Sequence, residues 1–368
     1  MATSVPAADL PAVDPPAVDL PAGERLPGRR ADIELMRVVA IVMIVSAHAT
    51  AGLLKVGAAG VNAGLTSWLA LVVNEASKAG LPVFVGITGW ALLRRDTAGD
   101  DAWLGRRMAR IVAPLLTWSA IYIGVSIIVG AVTGAPPWAP GEPWSWLGDQ
   151  AVLVLTGPGP RSHLWYLYYA MALTLAIWLI HSAGVPIRGS RVLYAAAALA
   201  LVLPLGIATA LDRTVSWRLF GWAIGYAALG VLLLESPPHR RLGAALYGSA
   251  VAALVVLVFA MGENTWPTAF TSPLRVVAAL GMVWMLVGLR MTPGIRFAAI
   301  RLGGLTFGAY LVHPLLLQLV RLAGRPGWPL ELLPTWAHLG LMLLVAIVGS
   351  FALVALWHRS ALLTRWLG

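Results

Sequence analysis

The stretch IELMRVVAIVMIVSAHA, residues 33–49, decides the fold class. It is the heart of an apolar run long enough to cross a bilayer as a helix, yet it holds an arginine, Arg37, and a histidine, His48. The eleven residue steps from one to the other turn a helix through three revolutions plus about 20°, so both side chains share one face, about 16 Å apart. A cation at one membrane edge and an imidazole deep in the apolar region are costly to keep in lipid. Ionisable groups retained there point to function.

The rest of the chain agrees with a membrane setting. Of 368 residues, 59% are hydrophobic and only 11% are charged, against roughly 25% charged in a soluble domain. Mean hydropathy is +0.80. The formal net charge of +10 does not indicate a nucleic-acid binder, because the basic residues are scattered between apolar segments and form no basic domain. The absence of cysteine excludes disulfides, thiolate metal sites and cysteine nucleophiles. Residues 1–31 are of a different kind: PAADLPAVDPPAVDLPAGERLPG (6–28) carries regular prolines and no apolar stripe. Such a segment cannot bury enough surface to offset its ordering entropy, so a disordered, Pro/Ala-rich cytoplasmic tail is expected ahead of a membrane domain over 32–368. The tail also lacks the basic and apolar regions of a signal peptide.

A helix needs roughly 20 apolar residues to cross the hydrocarbon core. That length rule gives ten expected spans: 35–54, 68–93, 110–131, 163–181, 192–211, 217–235, 242–261, 273–290, 302–320 and 338–357. Seventeen Lys and Arg fall in or beside the connections on one side and seven (Lys55, Arg161, Arg213, Arg218, Arg275, Arg321 and Arg325) in or beside those on the other, leaving Arg37 and Lys78. The positive-inside rule then predicts an all-α, polytopic membrane protein of about ten transmembrane helices with both termini cytoplasmic. The long outer connection 132–162, containing APPWAPGEPWSW, is expected to be a loop anchored by its tryptophans at the interface.

In this frame Arg37 and the arginines at 94, 95, 106, 107 and 110 crowd the inner edge. His48, His163 with Trp165, and Tyr310 with His313 fall in the outer half. Each has a plainer role beside the functional one. His163 and Trp165 open a helix at the interface and serve as anchors there. His313 precedes Pro314 and is placed to satisfy carbonyls that the proline frees. The inner arginines obey the positive-inside rule. Glu75 and Lys78, three residues apart, form a candidate neutralising pair. His48 has no such plain role. Guanidinium groups suit phosphates, and imidazole titrates near neutral pH, so the pattern is an anion-binding inner mouth leading to a base nearer the outside. No Walker-type loop, HExxH or di-acidic pattern occurs, so no metal site is expected.

The same residues carry a family resemblance. The first span is similar to the Arg-x10-His signature of the acyltransferase-3 family, with Glu34 at its usually acidic position. KAGLPVFVGITGWALLRR (78–95) resembles that family's Pro-x-Phe-Phe-x-x-Ser-Gly stretch through Pro82, Phe84, Thr88 and Gly89. RRMARIVAP (106–114) matches its Arg-x-x-Arg-x-x-x-Pro pattern at Arg107, Arg110 and Pro114. HLWYLYY (163–169) and TFGAYLVHP (306–314) look like segments of the branch that acts on surface polysaccharides. Thr88, Val85 and Lys78 depart from the usual serine, phenylalanine and arginine. The resemblance implies an O-acyltransferase of the cytoplasmic membrane. Its donor is acetyl-CoA or another acyl-CoA used as a substrate, with no tightly bound cofactor. Its acceptor is a hydroxyl of a glycan, lipid-linked sugar or secondary metabolite. It further implies His48 and Arg37 as catalytic residues, and Arg37, Arg107 and Arg110 as the CoA-binding set. His163, Trp165, Tyr310, His313, Glu75 and Lys78 are candidates for acceptor binding or the oxyanion. Two other readings compete: a multi-span transporter of an anion or proton-coupled solute, in which Arg37 and His48 line the pathway, and a non-catalytic sensor or scaffold.

Overall fold

A computed structural model describes residues 30–57, 65–93, 100–139, 141–156, 162–184, 190, 194–195, 221–261, 272–325, 327, 330 and 332–368. The expected tail up to residue 29 and nearly all of the expected span 192–211 lie outside the described residues. Within them, every regular element is helical. The long first run forms α1 (Ala31–Gly57), and the second breaks into α2 (Leu65–Ser77) and α3 (Gly80–Leu93). Then come α4 (Asp101–Thr133), α5 (Pro143–Thr156), a 3-10 turn at Ser162–Leu164 and α6 (Trp165–Ser182). The second half holds α7 (Gly221–Leu234), α8 (Arg240–Met261), α9 (Pro273–Leu286), α10 (Pro293–Gly303) and α11 (Thr306–Ala323). Last are α12 (Thr335–Leu344), a π-helical segment at Val345–Gly349, α13 (Ser350–Trp357) and α14 (Ala361–Leu367).

Six stretches are long and apolar enough to cross a membrane: Ala31–Ala51, Thr66–Leu93, Asp101–Thr133, Arg240–Met261, Thr306–Ala323 and Thr335–Trp357. The chain is therefore a multi-pass membrane protein, but the described residues supply six such crossings where ten were expected. Two of the difference are α7, described only from Gly221 onward, and α9, whose 14 residues between the Ser272 and Val287 caps are about 21 Å long, short of a core of about 30 Å. α6 opens on Trp165, Tyr166, Tyr168 and Tyr169, which dilute its apolar character.

Several boundaries move for local reasons. α4 starts nine residues before the expected 110 because the Asp100 side chain accepts the Trp103 amide (2.7 Å) and caps it there, which puts Arg106, Arg107 and Arg110 on the helix instead of in a connection. It stops at Gly134, whose φ of 67° is the left-handed cap that glycine adopts freely. The second run breaks at Lys78–Ala79, since Pro82 has no amide for the Lys78 carbonyl. The 132–162 connection, expected as a loop, contains α5, which starts on Pro143 and has no buried residue. Trp138 and Trp146 pair beside it, with ring centroids 5.7 Å apart.

α1 is the hub, packing against α2, α3, α10, α11 and α12. At its start, Arg30 donates to the Leu234 carbonyl (3.0 Å), and Asp32 accepts the Gly288 amide (2.8 Å). The start of α1 therefore lies with the ends of α7 and α9. Arg240 joins that end through the Gly288 carbonyl (2.7 Å), and Arg301 and Arg359 share a cleft with Leu305 and Leu356. Elsewhere, helices meet backbone to backbone at small residues, the packing that works where lipid is as apolar as leucine. A Cβ at Gly230 of α7 would overlap the Gly86 peptide of α3. One at Gly243 of α8 would come 2.7 Å from the Gly281 carbonyl oxygen of α9.

Gly230→Ala gives a direct test of that packing. In a free helix interior the change stabilises by about 0.5–1 kcal/mol. Here it should instead destabilise by about 1–3 kcal/mol through overpacking against Gly86, seen as a lower melting temperature of the detergent-solubilised protein.

Candidate active site

Three histidines from three elements meet. His48 of α1 and His313 of α11 have ring centroids 5.3 Å apart, and His163 of the 3-10 turn lies 5.9 Å from His313. His313 is wholly buried, His163 nearly so, and His48 is exposed. The His48 ring thus has one side against His313 and another open.

α11 sets His313 through its own sequence. Pro314 sits inside the helix and cannot donate to the Tyr310 carbonyl four residues back. The His313 Nδ1 lies 2.7 Å from that oxygen. A carbonyl only accepts, so Nδ1 carries the hydrogen and Nε2 carries the lone pair. His313 Nε2 is buried with no hydrogen-bond partner. The Tyr310 hydroxyl donates to the His163 carbonyl, which ties α11 to the start of α6. Tyr122 of α4 donates to the Leu311 carbonyl (2.6 Å), and its ring meets His163 edge-on at 5.0 Å.

From this cluster a line of rings runs toward the arginines. Tyr310 touches Tyr166 (5.4 Å, edge-on) and stacks on Phe84 (6.1 Å). Tyr166 pairs with Phe84 (5.1 Å) and hydrogen-bonds the Thr88 hydroxyl. Arg37 and Arg107 both lie within electrostatic range of the Tyr166 phenol. Arg37 holds Glu34 one turn before it, Nη1 to Oε1 at 3.3 Å, and Arg107 donates from Nε to Thr174 on α6 (3.2 Å). Arg110, a turn beyond Arg107, is exposed. Trp165, beside the line, packs its ring against Tyr166 and Tyr169 at 6.1 Å. His48, His313, His163, Tyr310 and Tyr166 are thus in ring contact one to the next, with Trp165 at the flank and Arg37 and Arg107 in the neighbourhood of the Tyr166 end.

Glu75 and Lys78 belong to a different cluster. Lys78 Nζ lies 2.6 Å from Glu75 Oε1, and Arg275 of α9 reaches the other Glu75 oxygen and donates to the Glu75 carbonyl (3.2 Å). Glu75 and Arg275 are fully buried. Asn74 next to them donates to the Ala47 carbonyl and to Thr50 on α1, both at 3.0 Å. The sequence reading missed Arg275 by counting it among outer-loop charges. It stands three residues inside the expected span 273–290, where an arginine demands a carboxylate, and the second span offers Glu75. Tyr166 was also passed over, although it follows His163 by three residues. Arg321 was counted likewise; its Nη2 donates to the His48 carbonyl (2.7 Å) and pins the far end of α11 to α1. No group of three or more candidate metal ligands occurs among the described residues.

A family model for an acyltransferase domain, acyltransferase-3, matches residues 30–355. The chain belongs to that family. No curated protein and no solved structure gives a significant match. The family makes the chain a membrane acyltransferase, and the matched region contains the whole path from Arg37 to His48 and His313.

In this acyltransferase the Glu75 cluster should act as a structural clasp between α2 and α9. Glu75→Ala leaves the buried Arg275 and the half-buried Lys78 without their carboxylate and should cost about 3–5 kcal/mol. Thermal unfolding in detergent reads that loss, and adding Arg275→Ala should restore part of it.

Proposed function

We propose that the protein transfers an acyl group, acetyl in the simplest form, from cytoplasmic acyl-CoA to a hydroxyl of a glycan, lipid-linked sugar or secondary metabolite, within the cytoplasmic membrane. One observation carries this reading: a chain of ring contacts runs from the exposed His48 imidazole through His313 and Tyr310 to Tyr166, and Arg37 and Arg107 lie in the neighbourhood of its Tyr166 end. The arginine-rich end faces the cytoplasm by the positive-inside rule. There Arg37, Arg107 and Arg110 hold the phosphates of CoA, for which forked guanidinium donors are suited. The pantetheine arm follows the line past Thr88, Phe84 and Tyr166. These side chains pack closely together, so the arm displaces the Phe84 and Tyr166 rings as it enters.

At the far end the acceptor hydroxyl meets the thioester beside His48. The hydroxyl oxygen attacks the carbonyl carbon, and its proton passes to His48. The C–S bond then breaks, and the proton moves from the imidazolium to the leaving thiolate. His48 ends as it began, so one imidazole serves as base and then acid. Tyr310 spends its hydroxyl hydrogen on the His163 carbonyl and His313 spends its Nδ1 hydrogen on Tyr310. Those groups shape the pocket and do not donate to the oxyanion.

His48→Ala should lower acyl transfer by roughly 10²–10⁴-fold while leaving acyl-CoA binding intact. Arg37→Ala and Arg107→Ala should raise the KM for acyl-CoA about tenfold with a smaller effect on kcat. Purified protein in detergent, radiolabelled acetyl-CoA and a cell-envelope extract as acceptor provide the assay. Solute flux without acyl transfer, unchanged by His48→Ala, would contradict the proposal.

A further inference from the structure

We infer that His313 is a positioning residue that selects which nitrogen of His48 acts as the base, and that Pro314 is what frees it for that task. The inference rests on the acyl-transfer reading of His48. Its basis is local geometry. In an ordinary helix the amide of residue 314 would occupy the Tyr310 carbonyl. Proline has no amide hydrogen, so His313 Nδ1 takes that oxygen, at 2.7 Å. The ring is thereby held as the tautomer with hydrogen on Nδ1 and the lone pair on Nε2.

That lone pair is the unusual feature. The His313 side chain is 0% exposed, and its Nε2 has no partner. Leaving a buried acceptor unmet is unfavourable, so a nearby donor is drawn to it. Three rings pack around the His313 ring, with centroids at 6.0 Å for Tyr310, 5.9 Å for His163 and 5.3 Å for His48. Tyr310 has committed its hydrogen to the His163 carbonyl. By ring centroid His48 is the nearest of the three, and it is the one of them that is exposed, His163 and Tyr310 being buried. When one N–H of His48 donates to His313 Nε2, the other His48 nitrogen is left with its lone pair on the open edge, where the hydroxyl and thioester meet. As His48 takes the hydroxyl proton it becomes an imidazolium, and the His313 lone pair stabilises that charge. The proton then leaves from the same His48 nitrogen to the thiolate, and His313 neither gains nor loses one. Such hydrogen bonds are often long before substrate binds and tighten in the complex.

The role predicts an effect for a residue that touches no substrate. Pro314→Ala restores an amide for the Tyr310 carbonyl, and that amide competes with His313 Nδ1. If His313 merely satisfied a freed carbonyl, the change would be neutral or stabilising. We expect instead that the melting temperature holds or rises while kcat falls about fivefold or more and the KM for acyl-CoA stays put. His313→Gln, whose side-chain oxygen reaches near the Nε2 position, should retain more kcat than His313→Leu.

Nitrogen-15 NMR of histidine-labelled protein reads the tautomer without any activity assay. The His313 signal should show hydrogen on Nδ1 in the wild type and a mixture in Pro314→Ala, and its Nε2 shift should move in His48→Ala but not in His163→Phe. A wild-type His313 protonated on Nε2, or full kcat in Pro314→Ala, would overturn the inference while leaving the acyl-transfer reading intact. Full activity in His48→Ala would remove that reading itself.

Discussion

Polar side chains inside this bundle have no bulk water to turn to, so each must find its partner on a neighbouring helix. The structure meets that demand largely with side chains that donate to backbone carbonyls of other elements. Tyr122 reaches Leu311 (2.6 Å), Tyr169 reaches Ala223 (3.1 Å), Tyr247 reaches Ala76 (3.0 Å) and Tyr310 reaches His163. Arg275 clasps Glu75 from across the α2–α9 contact, and Arg30 and Arg321 cap the two ends of the α1 contacts through Leu234 and His48. Small residues let the backbones approach closely enough for these bonds to form.

The candidate active site is one of the places where that demand is left open. His313 Nε2 is buried without a partner, and the imidazole beside it, His48, is exposed. Other buried polar atoms also lack partners, Asn74 Oδ1 and Ser119 Oγ among them; what sets the His313 acceptor apart is the exposed imidazole beside it, able to donate a hydrogen bond. The line from Tyr310 through Tyr166 to Arg37 and Arg107 connects this site to the basic end. In the proposed reaction, binding energy gained by CoA phosphates at that end serves to place the thioester at the other, about 16 Å away along α1.

Much of this was legible in the sequence. The spacing of Arg37 and His48 fixed their common face, the Pro after His313 foretold its backbone bond, and the arginine asymmetry foretold a basic end. The span count was less legible, because α9 is shorter than a bilayer and length alone counted its apolar flank. α5 was hidden by the prolines and glycines around it, since a helix that buries nothing has no apolar stripe to read. Arg275 escaped because a charge at the mouth of a span looks like a loop charge until its partner is seen. The convergence of His163 with His313 depends on contacts between elements 150 residues apart, which no local pattern encodes.

The account's central claim is that the donor stretches from the guanidiniums to His48. A structure determined with a non-transferable thioether analogue of acyl-CoA tests it most directly. The account predicts the phosphates against Arg37 and Arg107 and the acyl carbon about 3–3.5 Å from a His48 nitrogen. An analogue bound with its acyl end remote from His48, or with its phosphates away from both arginines, would contradict it.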